Sequence, residues 1–269
     1  MNTSTRHPHR RRHLRPAVRR LLTVTAAACL AVGGISFALS RSAALPQAAS
    51  VPARSAASQA EDSAAQAQQA QAMLDDPRMV LVNHTNKMPD GYTFTTKECG
   101  SATAINKTLQ TEAADAFLAM QAAAAKEGVT IWMQSGYRSV SYQTNLYEKK
   151  TNYYKQQGYD DAKAKEMAAA IVNPPGYSEH NCGLAADLNS PEHTGLDEGF
   201  ENTAAFRWLC QHAGEYGFIL RYPKGAEEKT EITYEPWHWR YVGVENAAKI
   251  NASGLCFEDY IVALQQIAG

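Results

Sequence analysis

The stretch SEHNCGLAAD, Ser178–Asp187, decides how this chain is read. Its second half, Gly183 to Leu188, is a run of small and apolar residues of the length of a buried strand. Two ionisable side chains, His180 and Asp187, bracket that run. A second stretch, EPWHWRY from Glu235 to Tyr241, likewise embeds His238 among aromatic strand residues. If the two runs are neighbouring core strands, His180, Asp187 and His238 converge on one point. Two imidazoles and a carboxylate make a three-ligand zinc site whose fourth position stays open, the catalytic kind. Glu235, three residues before His238, is placed to work beside the metal as proton-transferring base without ligating it. Each fragment also has a plainer reading. His180 and Asp187 can be a structural ion pair, His238 a satisfied core histidine, and Glu235 a solvated turn residue. Together the fragments are more specific than any of them alone.

A third stretch, SGYRS at Ser135–Ser139, comes directly after an apolar strand run over 129–134. An arginine presented just after a strand suits bidentate recognition of a carboxylate. Arg138 is therefore the candidate clamp for a substrate's terminal carboxylate, with a surface turn arginine as the plainer reading. Gln143 sits one turn into the next helix. A zinc centre beside a carboxylate clamp describes a carboxypeptidase.

SGYRS with Gln143, SEHNCGLAAD and EPWHWRYVG, in this order, resemble the VanY-type D-alanyl-D-alanine carboxypeptidases and their L,D-carboxypeptidase relatives. The resemblance covers most of 78–269, including the entry segment LVNHTNKMPDGY. It implies a zinc peptidase on the Hedgehog/D-Ala-D-Ala-peptidase fold, with one Zn2+, trimming the terminal D-alanine from peptidoglycan stem peptides. By motif position it implies His180, Asp187 and His238 as ligands and Glu235 as base. Arg138, Gln143 and Ser178 would bind the substrate's carboxylate. Cys182 departs from the pattern, where a Thr or another small polar residue is commoner. A free thiol so near His180 would perturb the metal or be oxidised, whereas a pairing with Cys99 would pin the loop. His193 and His212 match no motif position.

The remaining pattern gives an α+β domain with a small, mainly antiparallel sheet flanked by helices. Leu109, Ala113, Phe117, Met120 and Ala124 recur at helical spacing before Gly128. Ser139 or Ser141 caps a helix to about 154, Asp160 or Asp161 caps another, and a helix near 203–216 ends at Gly217. Strands are expected at 78–83, 218–222 and 234–242. Residues 77–269 are taken as the catalytic domain.

Upstream, residues 1–20 hold seven arginines and no acid, and Leu21–Leu39 carry no charge. The basic n-region 1–20 and the apolar segment 21–40 are expected to act as a signal-anchor or a cleaved signal peptide. Either exports the rest of the chain, to the extracytoplasmic face of a bacterial membrane or beyond it. Residues 41–76, rich in Ala, Ser and Gln, are expected to be a stalk of low order whose 56–74 part is weakly helical. Removing seven arginines from the 26 Lys+Arg leaves 19 against 27 Asp+Glu, so the exported part carries about −8. That balance argues against a nucleic-acid partner; the expected partners are stem peptides and the cytoplasmic membrane, with the domain monomeric. Export permits disulfides among Cys99, Cys182, Cys210 and Cys256, with Cys210–Cys256 the expected pair and four reduced cysteines the alternative. The competing functions are an endopeptidase of the same superfamily, a non-catalytic wall-binding module and a structural zinc domain. The first needs an open cleft, the second has no use for Glu235, and the third is short of a ligand.

Overall fold

The computed structural model describes residues 56–269. The basic segment 1–20, the apolar segment 21–40 and residues 41–55 lie outside them. No helix among the described residues is long and apolar enough to cross a membrane.

The described residues open with helix α1 (Ala56–Leu74), and a short sheet of β1 (Thr96–Glu98) against β2 (Thr108–Gln110) leads into α2 (Thr111–Lys126). Then come β3 (Trp132–Ser135), α3 (Val140–Gln156), α4 (Asp161–Ala169) and β4 (Ala185–Asn189). Helix α5 (Ala204–His212), β5 (Phe218–Tyr222), a single turn α6 (Glu227–Thr230) and β6 (Glu235–Tyr241) precede the closing helices α7 (Val244–Ser253) and α8 (Phe257–Ala268). The main sheet is antiparallel throughout, in the order β3-β4-β6-β5. This is the α+β architecture expected.

Local chemistry accounts for most boundaries. Ser139 accepts a hydrogen bond from the Tyr142 amide and starts α3, and Asp160 does the same for α4 through the Lys163 amide. Gly217, at φ +81°, closes the turn after α5. All five residues of β4 are buried, so β4 is the interior strand on which the sheet is built. The apolar stripe of α2, with Leu109 leading into it, packs beneath the sheet against Met133, Leu184 and Leu188.

Three expectations are corrected. Residues 78–83 form no strand: 77–79 is a 3-10 turn capped by Asp76, and the carbonyls of Arg78 and Val80 accept hydrogen bonds from the Arg240 guanidinium instead of a sheet neighbour. Residues 56–74 do not stand clear as a low-order stalk. They form α1, whose Ala70 and Met73 are buried in a cluster with Phe257, Ile261 and Leu264 of α8. The Ala/Gln sequence hid this because so few of its side chains reach the contact. The Cys210–Cys256 disulfide is absent, as all four described cysteines are free. Cys210 is exposed on α5, Cys256 is half-buried ahead of α8, and Cys99 packs its sulfur 3.9 Å from that of Met133.

Because α8 and α1 share one apolar seam, Leu264→Ala should remove about 2–5 kcal/mol of unfolding free energy. A urea melt showing an unchanged midpoint would mean that the seam contributes nothing.

Candidate metal centre

After the extended Ser178, Glu179–Cys182 forms a 3-10 turn, and Gly183 at φ +69° reverses the chain into β4. A side chain at Gly183 would meet the Phe94 ring at 2.8 Å, so both backbone shape and close packing call for glycine. The reversal sets His180 at one end of the turn and Asp187 within β4. In the sheet register Asp187 lies directly opposite Ser135 of β3 and His238 of β6. Residues so paired share a face of the sheet, so Asp187 and His238 must meet.

The three expected ligands are almost wholly buried and each offers a ligand atom within 4.8 Å of the others. His180 Nδ1 lies 2.7 Å from the Gly136 carbonyl. A carbonyl only accepts, so Nδ1 carries the proton and Nε2 keeps its lone pair, 3.3 Å from Asp187 Oδ2. His238 Nδ1 lies 3.2 Å from Asp187 Oδ1. Two ligand atoms on a tetrahedral ion with bonds of about 2.0–2.1 Å stand roughly 3.3 Å apart, so the donor set fits zinc. The His180 and His238 rings meet edge to face with centroids 5.0 Å apart.

Glu235 Oε2 is 3.5 Å from His238 Nδ1, beside the cluster. Arg138 is strapped in place: its amide donates to the His180 carbonyl, its carbonyl accepts from Asn181, and its Nε donates to Ser135 Oγ. Its Nη2 donates to Asp187 Oδ2 at 2.5 Å. Gln143 donates through Nε2 to the Asn173 carbonyl, and its buried Oε1 has no hydrogen-bond partner. With Ser178, all seven expected site residues line one pocket of about 220 Å³. Tyr222 and Trp237 also line it. A larger cleft of about 710 Å³, bordered by Leu209, Phe218 and Trp239, gathers no such set.

The charges in the pocket are not alike. Burial opposes ionisation of Asp187, but His180 and Arg138 beside it hold its carboxyl well below the usual range. Burial lifts Glu235 to about 7, against the pull of His238 and with the help of Asp187. Burial, reinforced by Arg138, lowers His180 to about 4. Burial also works against His238⁺, yet the carboxylates of Asp187 and Glu179 beside it raise it to about 9.

The other histidines among the described residues stay outside. His193 pairs with Asp197, His212 with Glu215, and His84 reaches the Ala169 carbonyl. Cys182 belongs to the apolar core with Leu184 and Ala186, and burial pushes its thiol up to about 12, so the expected disturbance of the metal pocket by a reactive thiol is corrected. Sequence reasoning missed a buried charge network behind the pocket, made of Glu179, Arg221, Arg240 and Glu258. The glutamate stood inside the quoted SEHN motif, but adjacency to a ligand does not tell which way a side chain points.

A pocket that gathers two histidines, a buried carboxylate, a second carboxylate of raised pKa and an arginine belongs to the class of candidate metallohydrolase sites. The family model for VanY, D-alanyl-D-alanine carboxypeptidase, matches residues 106–244, and the chain belongs to this family. It is 37% identical over 185 residues to a D-alanyl-D-alanine carboxypeptidase of Enterococcus faecalis (strain ATCC 700802 / V583), covering 68% of this chain and 65% of that protein's length. Among solved structures it resembles the vancomycin-resistance D,D-pentapeptidase VanY, solved as a variant with Zn(II), at TM-score 0.59 and 35% identity over 68% of this chain and 98% of that one. VanYB in complex with D-alanine-D-alanine gives TM-score 0.60 and 35% identity over 68% and 97%. The LdcB LD-carboxypeptidase gives 0.57 and 37% over 67% and 83%. The fold is thus the one shared by these peptidases.

A Cβ at Gly136 would press on the Thr108 carbonyl and displace the backbone whose own carbonyl fixes the His180 tautomer. Gly136→Ala should therefore weaken zinc binding by about tenfold or more. Competition against a chromophoric chelator measures it, and wild-type affinity would show that this carbonyl does not matter.

Proposed function

We propose that the domain is a zinc-dependent carboxypeptidase that removes the C-terminal D-alanine from peptidoglycan stem peptides. The observation that carries the reading is the presence of Arg138 in the same small pocket as the buried His180–Asp187–His238 cluster and Glu235. An endopeptidase needs a cleft that lets the chain continue. Here a guanidinium lines the pocket and favours a terminal carboxylate over a continuing chain. The E. faecalis carboxypeptidase and the VanYB complex with D-alanine-D-alanine support the substrate class.

In this reading His180 through Nε2, Asp187 and His238 through Nδ1 hold one zinc ion. The ion, when bound, supplies Lewis acidity: it polarises the scissile carbonyl and acidifies a water. The chain's own groups do the rest. Arg138 has its Nε and one Nη2 proton committed to Ser135 and Asp187, which fixes the guanidinium plane and leaves Nη1 for the substrate carboxylate. Gln143 and Ser178 complete that end of the pocket. Glu235, whose burial brings it to about 7, takes a proton from water and returns it to the leaving amine of D-alanine. Asp187 stays ionised throughout, as a ligand must.

We also propose that the domain works on the extracytoplasmic side, held at the cytoplasmic membrane by 21–40 or released if that segment is cleaved. The arginine-rich 1–20 and the uncharged run after it support this topology.

Incubating the full chain with pentapeptide and tetrapeptide stems should release D-alanine from one of them, and a chelator should stop it. Release from the pentapeptide means D,D-specificity and from the tetrapeptide L,D-specificity; chelator-insensitive release or none would sink the reading. Glu235→Ala should keep stoichiometric zinc and lose at least about 100-fold in kcat. His238→Ala should lose metal and activity together. Arg138→Ala should act mainly on kcat/KM, and an unchanged kcat/KM for that variant would remove the clamp.

A further inference from the structure

Glu179 lies next to a proposed ligand in sequence, yet its carboxylate belongs to the far side of the other histidine. We propose that Glu179 is a positioning residue that fixes the tautomer of His238, so that Nδ1 and not Nε2 faces the metal. The proposal rests on the reading of His180, Asp187 and His238 as zinc ligands. Glu179 is fully buried. Its Oε1 accepts from Arg221 Nε and from Arg240 Nη1, both at 2.7 Å. Its Oε2 has no hydrogen bond and stands 3.5 Å from His238 Nε2, which is itself without a hydrogen-bond partner. The two orphaned atoms face each other.

That asymmetry separates this role from plain charge neutralisation. A carboxylate serving only as counter-ion to two guanidiniums can offer an oxygen to each. Here both arginines converge on one oxygen, and the other is left for the imidazole. The arginines are themselves anchored. Arg221 gives its two Nη groups to Glu258, at 2.8 and 2.5 Å, and Arg240 gives Nη2 to the carbonyls of Arg78 and Val80. Glu179 is thereby held ionised and fixed in direction.

A carboxylate at Nε2 draws the ring proton to that nitrogen and leaves the Nδ1 lone pair for a metal. Nδ1 is the nitrogen beside Asp187 and Glu235. Ring packing does not make this choice. Tyr222 and His180 lie 4.8 and 5.0 Å from the His238 ring, centroid to centroid, and restrict its plane but not its tautomer.

Glu179→Gln is the informative substitution. The two arginines require the amide oxygen on their side, so the amide NH₂ turns to His238 Nε2 and forces the proton onto Nδ1. Titrated against a chromophoric chelator, the Glu179→Gln full chain should bind zinc about 10–100-fold more weakly than wild type. Its cobalt-substituted form should show an altered visible absorption band, with circular dichroism unchanged. Zinc affinity within about twofold of wild type and an unaltered cobalt band would overturn the proposal. Should the variant not fold, the imidazole nitrogen-15 NMR spectrum of zinc-loaded wild type decides: a protonated, metal-free Nε2 on His238 supports it, and a protonated Nδ1 overturns it. Wild type that binds no zinc, or that keeps it in His180→Ala, would defeat the metal-site reading itself, a result distinct from the first.

Discussion

The cross-strand alignment of Ser135, Asp187 and His238 is the constraint on which the site depends. In antiparallel pairs, directly opposed side chains share one face with Cβ atoms about 4.5–5.5 Å apart. A slip of one residue in either pairing would send Asp187 or His238 to the opposite face. The register is held because β4 is buried on both faces: Ala186 and Leu188 pack in the core that includes Leu109, Phe117 and Met133. The turn that delivers His180 is tied to the same sheet through the Gly136 carbonyl and the Arg138 amide. Side chains carried by strands and a strapped turn are pre-organised and need little rearrangement to receive a ligand.

The pocket contains two carboxylates, and their surroundings push them to opposite behaviour. Asp187 sits against His180 and Arg138 and is driven well below the usual carboxylate range. Glu235 has His238 Nδ1 3.5 Å away, yet burial outweighs that pull and carries it to about 7. One is therefore permanently charged, suited to holding a cation, while the other gains and loses a proton near neutrality, suited to transferring one. The division of labour comes from which residue each strand position puts beside an arginine.

How much of this was legible beforehand depends on the range of the interaction. The stripe of α2, the caps at Ser139 and Asp160, and the stop at Gly217 are local, and sequence spacing carried them. The convergence of His180, Asp187 and His238 was legible as well, because polar groups set in two apolar strand runs meet once those strands pair. What failed was long-range. Residues 78–83 have strand composition but lose their carbonyls to Arg240, more than 150 residues away. Helix α1 reads as low-complexity chain because, among its described side chains, Ala70 and Met73 alone are buried, in the cluster with α8. The disulfide inference leaned on export and an even count of cysteines, neither of which says where two sulfurs stand.

The charge network behind the pocket shows why those long-range features belong together. Taking Glu179, Arg221, Arg240 and Glu258 out of water costs more than hydrophobic residues of the same size would, so their contribution to stability is weak grounds for their presence. Their contacts point elsewhere. Glu258 stands in the first turn of α8, Asn83 donates to it, Arg240 reaches back to the 78–80 backbone, and Glu179 precedes His180. Neither the N-terminal approach nor the last helix lines the pocket around His180, Asp187 and His238, yet each supplies groups without which the network's guanidiniums would be left with unmet donors. With its guanidiniums anchored at both ends, such a network specifies one arrangement of its members. The closing helix and the segment after α1 are thus tied to the orientation of a single imidazole at the centre of the sheet.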